Sequence, residues 1–249
     1  MAESINLLQT LHALKASKWV DLTHEFGPNS PHFPAFDPAR FETLFTVEKD
    51  GFYVKKYTFP GQYGTHIDPP VHFDDSKQVY IEDLELKDLF LPLVVIDFSK
   101  SAQQNPDQSI GVADIKNWEE ENGEIPVNSF VALRTDWGKR WPDVKSFENQ
   151  DDSGQNHYPG WSVAALQYIY ETRHAFANGH ETYDTDTAVE QTNGLPAEFY
   201  VLSHGHYQVE LLTNLDQVPA TGSIISIGVP KAEEAPGFPV RAFAIIPEK

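Results

Sequence analysis

One short run, Gly61-Gln62-Tyr63-Gly64-Thr65-His66-Ile67-Asp68-Pro69-Pro70-Val71-His72-Phe73, gathers two imidazoles, a carboxylate and a carboxamide. Nitrogen and oxygen donors at this density suit a divalent cation. If the run up to the prolines is extended, side chains alternate faces and Gln62, His66 and Asp68 point the same way. His66 and Asp68 are then close enough to share one ion, and Gln62 could add a third ligand or a hydrogen bond. Pro69 and Pro70 cannot continue a central strand, so the chain turns and His72 emerges beside the ion, not necessarily bound to it. Three protein ligands leave positions open for water, whose pKa a bound cation lowers. His72 is placed to take that proton and return it to a leaving group, an arrangement that suits a hydrolytic site. A His-x-Asp pair by itself is common in structural roles, where the carboxylate only orients the imidazole. The glycines, which let backbone approach an ion, and the prolines, which fix the exit, favour the metal site.

The elements that must hold this run are legible in outline. Ile5 to Ala16 reads as an amphipathic helix, with Leu7, Leu8, Leu11 and Leu14 at helical spacing. Trp19 to Thr23 reads as a strand, followed by a proline- and aromatic-rich loop to Asp37 whose Phe33 and Phe36 either contact an aromatic substrate or cover the core. Phe41 to Val47 and Gly51 to Phe59 alternate as a hairpin joined at Lys49-Asp50-Gly51. Leu84 to Leu89 is a short helical or turn segment, and Leu91 to Asp97 and Ser129 to Thr135 are apolar runs typical of buried strands. Between them, Val112 to Asn122 reads as a helix. Phe147 to Pro159 is polar and acidic, a surface excursion, and Ser162 caps a helix to Glu171. Ala175 to Gly179 reads as a strand, Tyr200 to Leu212 and Gly222 to Val229 as further β or mixed structure, and Val240 to Ile246 as a last strand. Strands outnumber helices, without repeats or a linker, which predicts one α/β domain with a mixed sheet over residues 1–249.

Composition narrows the classes of function. Asp and Glu outnumber Lys and Arg by 37 to 18, for a formal charge of −19. No basic stripe offers itself to phosphates, so neither nucleic acid nor an anionic membrane surface is an expected partner. The chain has no cysteine, which excludes disulfides, thiolate ligands and a cysteine nucleophile. Met1-Ala2-Glu3-Ser4 does not begin a signal peptide and no apolar run is long enough to span a bilayer, so a cytoplasmic protein is the expectation.

The run Gly64 to Phe73 resembles the His-x-Gly-Thr-His-x-Asp-x-Pro-x-His signature of the cyclase-like metal-dependent hydrolases, the family of bacterial kynurenine formamidases and isatin hydrolases. Val20-Asp21-Leu22-Thr23-His24, Leu133-Arg134-Thr135-Asp136-Trp137, Glu210-Leu211-Leu212-Thr213-Asn214-Leu215 and Gly237-Phe238-Pro239-Val240-Arg241-Ala242 resemble its other blocks in the same order. The resemblance implies the swivelling β/β/α fold, a homo-oligomer (dimer or tetramer), and amide hydrolysis at zinc or manganese. It also implies His66 and Asp68 as metal ligands, His72 as the acid–base histidine and Glu210 as a glutamate near or on the metal. Gln62 stands where the family has its first metal histidine, a change that favours manganese or magnesium over zinc. Glu198 stands where the formamidases hold a second zinc with histidine, which points to a single ion.

The sequence therefore predicts a hydrolase that cleaves a small aromatic or cyclic amide such as isatin or N-formylkynurenine. The metal ligands are Gln62, His66 and Asp68, holding one Mn2+ or Zn2+, and the catalytic residues are His72 and Glu210. A lactonase or dehydratase-type cyclase, or a metal-binding protein without catalysis, are the alternatives. His180 to Asp186 is dense in potential ligands, yet reads first as a solvated turn-forming loop. His24, His32, His204 and His206 read first as structural or pocket-edge residues, and Trp137 and Trp141 as packing.

Overall fold

A computed structural model describes residues 6–247. In chain order the first elements are α1 (Leu7–Ala16), β1 (Lys18–Asp21), β2 (Arg40–Phe45), α2 (Val47–Asp50), β3 (Val54–Thr58), β4 (His66–Asp68), β5 (Phe90–Asp97), α3 (Ser99–Gln104), β6 (Ser109–Ile110) and α4 (Val112–Asn122). The remainder are β7 (Phe130–Arg134), α5 (Val144–Glu148), β8 (Gly160–Trp161), α6 (Val163–Gln167), β9 (Ala177–His180), α7 (Pro196–Ser203), β10 (Gln208–Glu210), β11 (Ser223–Gly228), β12 (Phe238–Pro239) and β13 (Arg241–Ile246). This is the α/β class with a mixed sheet that the sequence predicts.

Nine strands form one sheet in the order β1-β13-β11-β5-β7-β9-β10-β4-β12. The β5/β7, β7/β9 and β9/β10 pairs are parallel, and the pairs towards both edges are antiparallel. Alternation along β5 and β7 divides their residues between two cores. Leu91, Leu93, Val95, Phe130 and Ala132 join a core that also takes Val20, Ile67, Val209, Ile225 and Ala244 from strands at both ends of the sheet. A flat sheet could not bring its edges to one core, so the sheet curls around it. Val94, Ile96, Val131 and Leu133 face the other way, onto Ile115 and Trp118 of α4, Leu166 of α6 and Val201 of α7.

Most boundaries fall within a residue or two of those read from the sequence, but some segments differ. Helix α1 is present from Leu7, and Ile5 lies outside the described residues. Its leucine face meets no core: Leu7 and Leu8 are exposed. The hairpin β2–β3 forms, with the one-turn α2 in its connection and Gly51 ending that turn at φ +82°. The Phe147–Pro159 excursion is anchored at its ends, where Phe147, Asn156 and Tyr158 are buried. Tyr200 to Ser203, read as β or mixed structure, belongs instead to α7. Among the described residues no helix is long and apolar enough to cross a membrane.

Candidate metal centre

The site is built on the antiparallel β4/β10 ladder, whose register sets His66 opposite Glu210 and Asp68 opposite Gln208. With the two-residue alternation of each strand, His66, Asp68, Gln208 and Glu210 share one face while Ile67 and Val209 pack into the core. His66 Nε2 lies 3.2 Å from Asp68 Oδ2 and 3.4 Å from Glu210 Oε2. His66 Nδ1 is 2.8 Å from the Gly64 carbonyl. A proton donated there leaves Nε2 free as a ligand, the usual arrangement for a metal-binding imidazole.

Gln62 does reach this face, though not by strand alternation. The strand begins only at His66, because Gly64 takes φ +65° and breaks the extended run. The turn carries Gln62 round so that its Nε2 donates to the Pro236 carbonyl at 3.1 Å and stands 3.4 Å from His72 Nδ1. His72 sits on the single turn Pro70–His72, as the prolines predict, with its Nε2 4.0 Å from Glu198 Oε1. Glu198 comes from the first turn of α7, where the Asp186 carboxylate accepts the Ala197 and Glu198 backbone N–H groups at 2.8 and 2.9 Å. Two sets of ligand-type atoms therefore converge, His66–Asp68–Glu210 and Asp68–His72–Glu198, with Asp68 common to both.

The donor set fits a cation. Asp68 is fully buried, yet neither of its oxygens has a hydrogen-bond partner among the described residues. Buried carboxylate oxygens in that state are costly unless something charged meets them. Burial opposes ionisation of Asp68, but the His66 and His72 imidazoles hold its pKa below the usual carboxylate value. Burial likewise disfavours a charged His66, while Asp68 and Glu210 raise its pKa well above the ordinary imidazole value. Burial first, and then Glu210, Asp184 and Asp68, push Glu198 well above the usual range. A positive ion would relieve this excess of carboxylates.

Gly237, at the head of the terminal Gly-Phe-Pro-Val-Arg segment, explains its own residue type. A Cβ there would come within 2.8 Å of Asp68 Oδ1 and 2.7 Å of Gln62 Cδ. Gly237→Ala is expected to displace Gln62 and to destabilise the fold by about 1–3 kcal/mol, the usual cost of overpacking, read as a lower Tm.

Gln208 is the site residue that sequence reasoning missed. Its buried Nε2 donates to Glu198 Oε1 at 3.0 Å and to Glu210 Oε1 at 2.9 Å, while its Oε1 accepts from the Thr185 hydroxyl. One carboxamide thus fixes a carboxylate of each triad. Gln208→Leu is expected to lower metal affinity about 10- to 100-fold, the range for residues that orient ligands, in a competition titration against a chelator.

The loop from Glu181 to Asp186 is buried throughout and not solvated, because most of its polar side chains pair with other protein groups. Glu181 accepts Thr135 N–H, Thr182 donates to the Asp184 carbonyl, and Asp184 Oδ2 accepts from the Tyr158 hydroxyl and from Gln191 Nε2. His180 lies behind the site, its Nε2 3.2 Å from the Thr185 hydroxyl and 3.5 Å from Glu210 Oε1. His204 and His206 bond backbone carbonyls; His204 packs at a tilt against Tyr200, His206 stacks on Tyr170, and His24 stacks on Trp141, all structural settings.

A cavity of about 220 Å³ opens onto this centre. Phe33, Phe36, Phe73, Tyr183, Leu195 and Leu211 supply its apolar walls, and Gln62, His66, His72, Asp184, Glu198 and Glu210 its polar floor. Leu211 is present because its φ of +55° ends β10 and releases it from the strand's alternation. Among the described residues no lysine or arginine lines the cavity. A flat, largely apolar small molecule with one polar edge is what such walls accept.

Known proteins are similar to this chain in sequence and fold. Residues 20–187 match the family model described as "Putative cyclase". The chain is 32% identical to an isatin hydrolase of Roseibium aggregatum, over 92% of each chain, and 28% identical to a kynurenine formamidase of Bacillus cereus, over 92% of this chain and 98% of that one. A crystal structure of an isatin hydrolase bound to the product analogue thioisatinate superposes with a TM-score of 0.90 at 29% identity, covering 98% of this chain and 100% of the other.

Proposed function

The chain belongs to the cyclase family, and from that premise we propose that it is a metal-dependent amidohydrolase whose substrate is a small aromatic or cyclic amide of the isatin or N-formylkynurenine kind. The observation that carries this reading is Asp68, a buried carboxylate with both oxygens unpaired, set behind the His66 and Glu210 side chains that line an aromatic-walled cavity. We take residues 1–249 as one catalytic domain, with Gln62, His66 and Asp68 holding one Mn2+ or Zn2+ and Glu210 closing the set. The ion when bound would supply Lewis acidity, acidifying a water and polarising the amide carbonyl.

The remaining work falls to side chains. His66 keeps its proton on Nδ1 through Gly64, so Nε2 stays turned to the carboxylates. Gln208 holds Glu198 and Glu210 in place. Phe33, Phe36 and Phe73 pack the substrate ring and exclude water, which strengthens every charge interaction in the cavity. His72, partly exposed at the cavity, carries a proton from the attacking water to the leaving nitrogen as the C–N bond breaks. Exposed apolar residues on α1 (Leu7, Leu8) and on the hairpin (Phe45, Phe52, Tyr57) favour assembly as a homo-oligomer.

Elemental analysis of the purified protein, paired with isatin and N-formylkynurenine assays before and after chelation, tests the reading. One equivalent of manganese or zinc and chelator-sensitive turnover of either amide are expected. A metal-loaded protein that hydrolyses neither would overturn it.

A further inference from the structure

The mechanism above leaves one carboxylate in the cavity without a task. Asp184 is 5% exposed and lines the cavity, but belongs to neither ligand triad. Its Oδ2 is saturated: the Tyr158 hydroxyl donates to it, and so does Gln191 Nε2 at 2.6 Å. Gln191 Nε2 also donates to the Tyr158 oxygen at 2.6 Å, closing a small, partly buried ring of hydrogen bonds. The main chain is pinned as well, since the Thr182 hydroxyl donates to the Asp184 carbonyl at 3.1 Å. Its other oxygen, Oδ1, accepts from no described residue. The result is a rigid acceptor, nine-tenths buried, set among the aromatic walls.

We propose that Asp184 Oδ1 accepts the N–H of the substrate's scissile amide, making the enzyme selective for amides with a free aryl N–H. This rests on the amidohydrolase reading of the same site. A carboxylate has no proton to give at Oδ1, so it repels a ring oxygen or tertiary nitrogen and attracts a donor. Both a cyclic lactam and an N-formyl anilide present such an N–H beside the carbonyl that is attacked. A buried acceptor left unpaired by an N-alkylated analogue is penalised more heavily than the lost bond alone would suggest.

The donors around Oδ2 make the test directional. In Asp184→Asn the side-chain oxygen is expected to stay with the Tyr158 hydroxyl and Gln191 Nε2, because Gln191 Nε2 can only donate, and this turns the new NH2 towards the cavity. The acceptor becomes a donor in an isosteric side chain. Isatin and N-methylisatin are compared by calorimetric binding and by kcat and KM, on the metal-loaded parent and on the variant. The parent is expected to favour isatin by about 10- to 100-fold in Kd, the range for a hydrogen bond to a charged group. Asp184→Asn is expected to abolish or reverse that preference with Tm unchanged. A methyl group that merely clashes with the wall would leave the preference intact in the isosteric variant, and that result overturns the proposal. Asp184→Ser serves if the Asn variant does not fold; it should erase the preference without reversing it, and retention of the preference overturns the proposal. Selective binding of isatin without turnover of either isatin or N-formylkynurenine would support the recognition role while sinking the hydrolase reading. Turnover without N–H preference would do the opposite.

Discussion

Asp68→Asn is expected to strip the cation from the purified protein and to lower kcat/KM at least about a thousandfold, the loss that follows when several kcal/mol of Lewis-acid stabilisation disappears. Asp68 is the one residue common to both triads, so no other single change removes a ligand from each. Asparagine keeps the shape, and the β4/β10 register that places it opposite Gln208 is a backbone property it does not disturb. In the metal-free variant Glu210, 3.4 Å from His66 Nε2, remains as the imidazole's charge partner, so the loss of the Asp68 charge does not leave His66 buried and unpaired. What should vanish is the rise in Tm when manganese or zinc is added, since that rise scales with the logarithm of ligand concentration over Kd. Elemental analysis and melting curves with and without metal measure both effects. A variant that keeps its metal and its Tm response would remove Asp68 from the centre.

How far the site could be read in advance depended on the range over which each residue is placed. His66, Asp68 and His72 lie within one short run, and strand alternation followed by two prolines is local physics that a sequence displays directly. Gln62 is equally local, yet its route to the site runs through Gly64 at positive φ, and a glycine in a sequence does not announce which basin it occupies. Gln208 was invisible because its meaning depends on register with a strand far away in the chain, where Asp68 happens to be its opposite number. Helix α7 was misread for a different reason. Ala197, Glu198, Tyr200, Val201 and Leu202 are all buried, so the helix lacks the polar face whose period would have revealed it. Its start is fixed by Asp186 from a separate loop, and that loop looked solvated because its polar side chains find one another only in three dimensions.

His72→Ala is expected to lower kcat about 10²- to 10⁴-fold, the range for loss of a positioned acid–base group, with bound metal and KM nearly unchanged. The arrangement around His72 contains a rival role, which this variant also decides. With Nε2 4.0 Å from Glu198 Oε1 and Asp68 shared, the imidazole could close a second cation set. Two features favour proton transfer over ligation. His72 is partly exposed at the cavity, whereas His66 is buried, and its Nδ1 faces the Gln62 carboxamide, with no carboxylate or carbonyl to fix a ligand tautomer. A small base supplied in solution can stand in for a missing proton carrier at an open position, so added imidazole should restore part of kcat in His72→Ala. It should restore nothing in Asp68→Asn, where the defect is the ion's absence. A fall in metal content on His72→Ala, with kcat recovered by excess manganese or zinc and not by imidazole, would make His72 a ligand and pass the proton-carrying role to another group in the cavity.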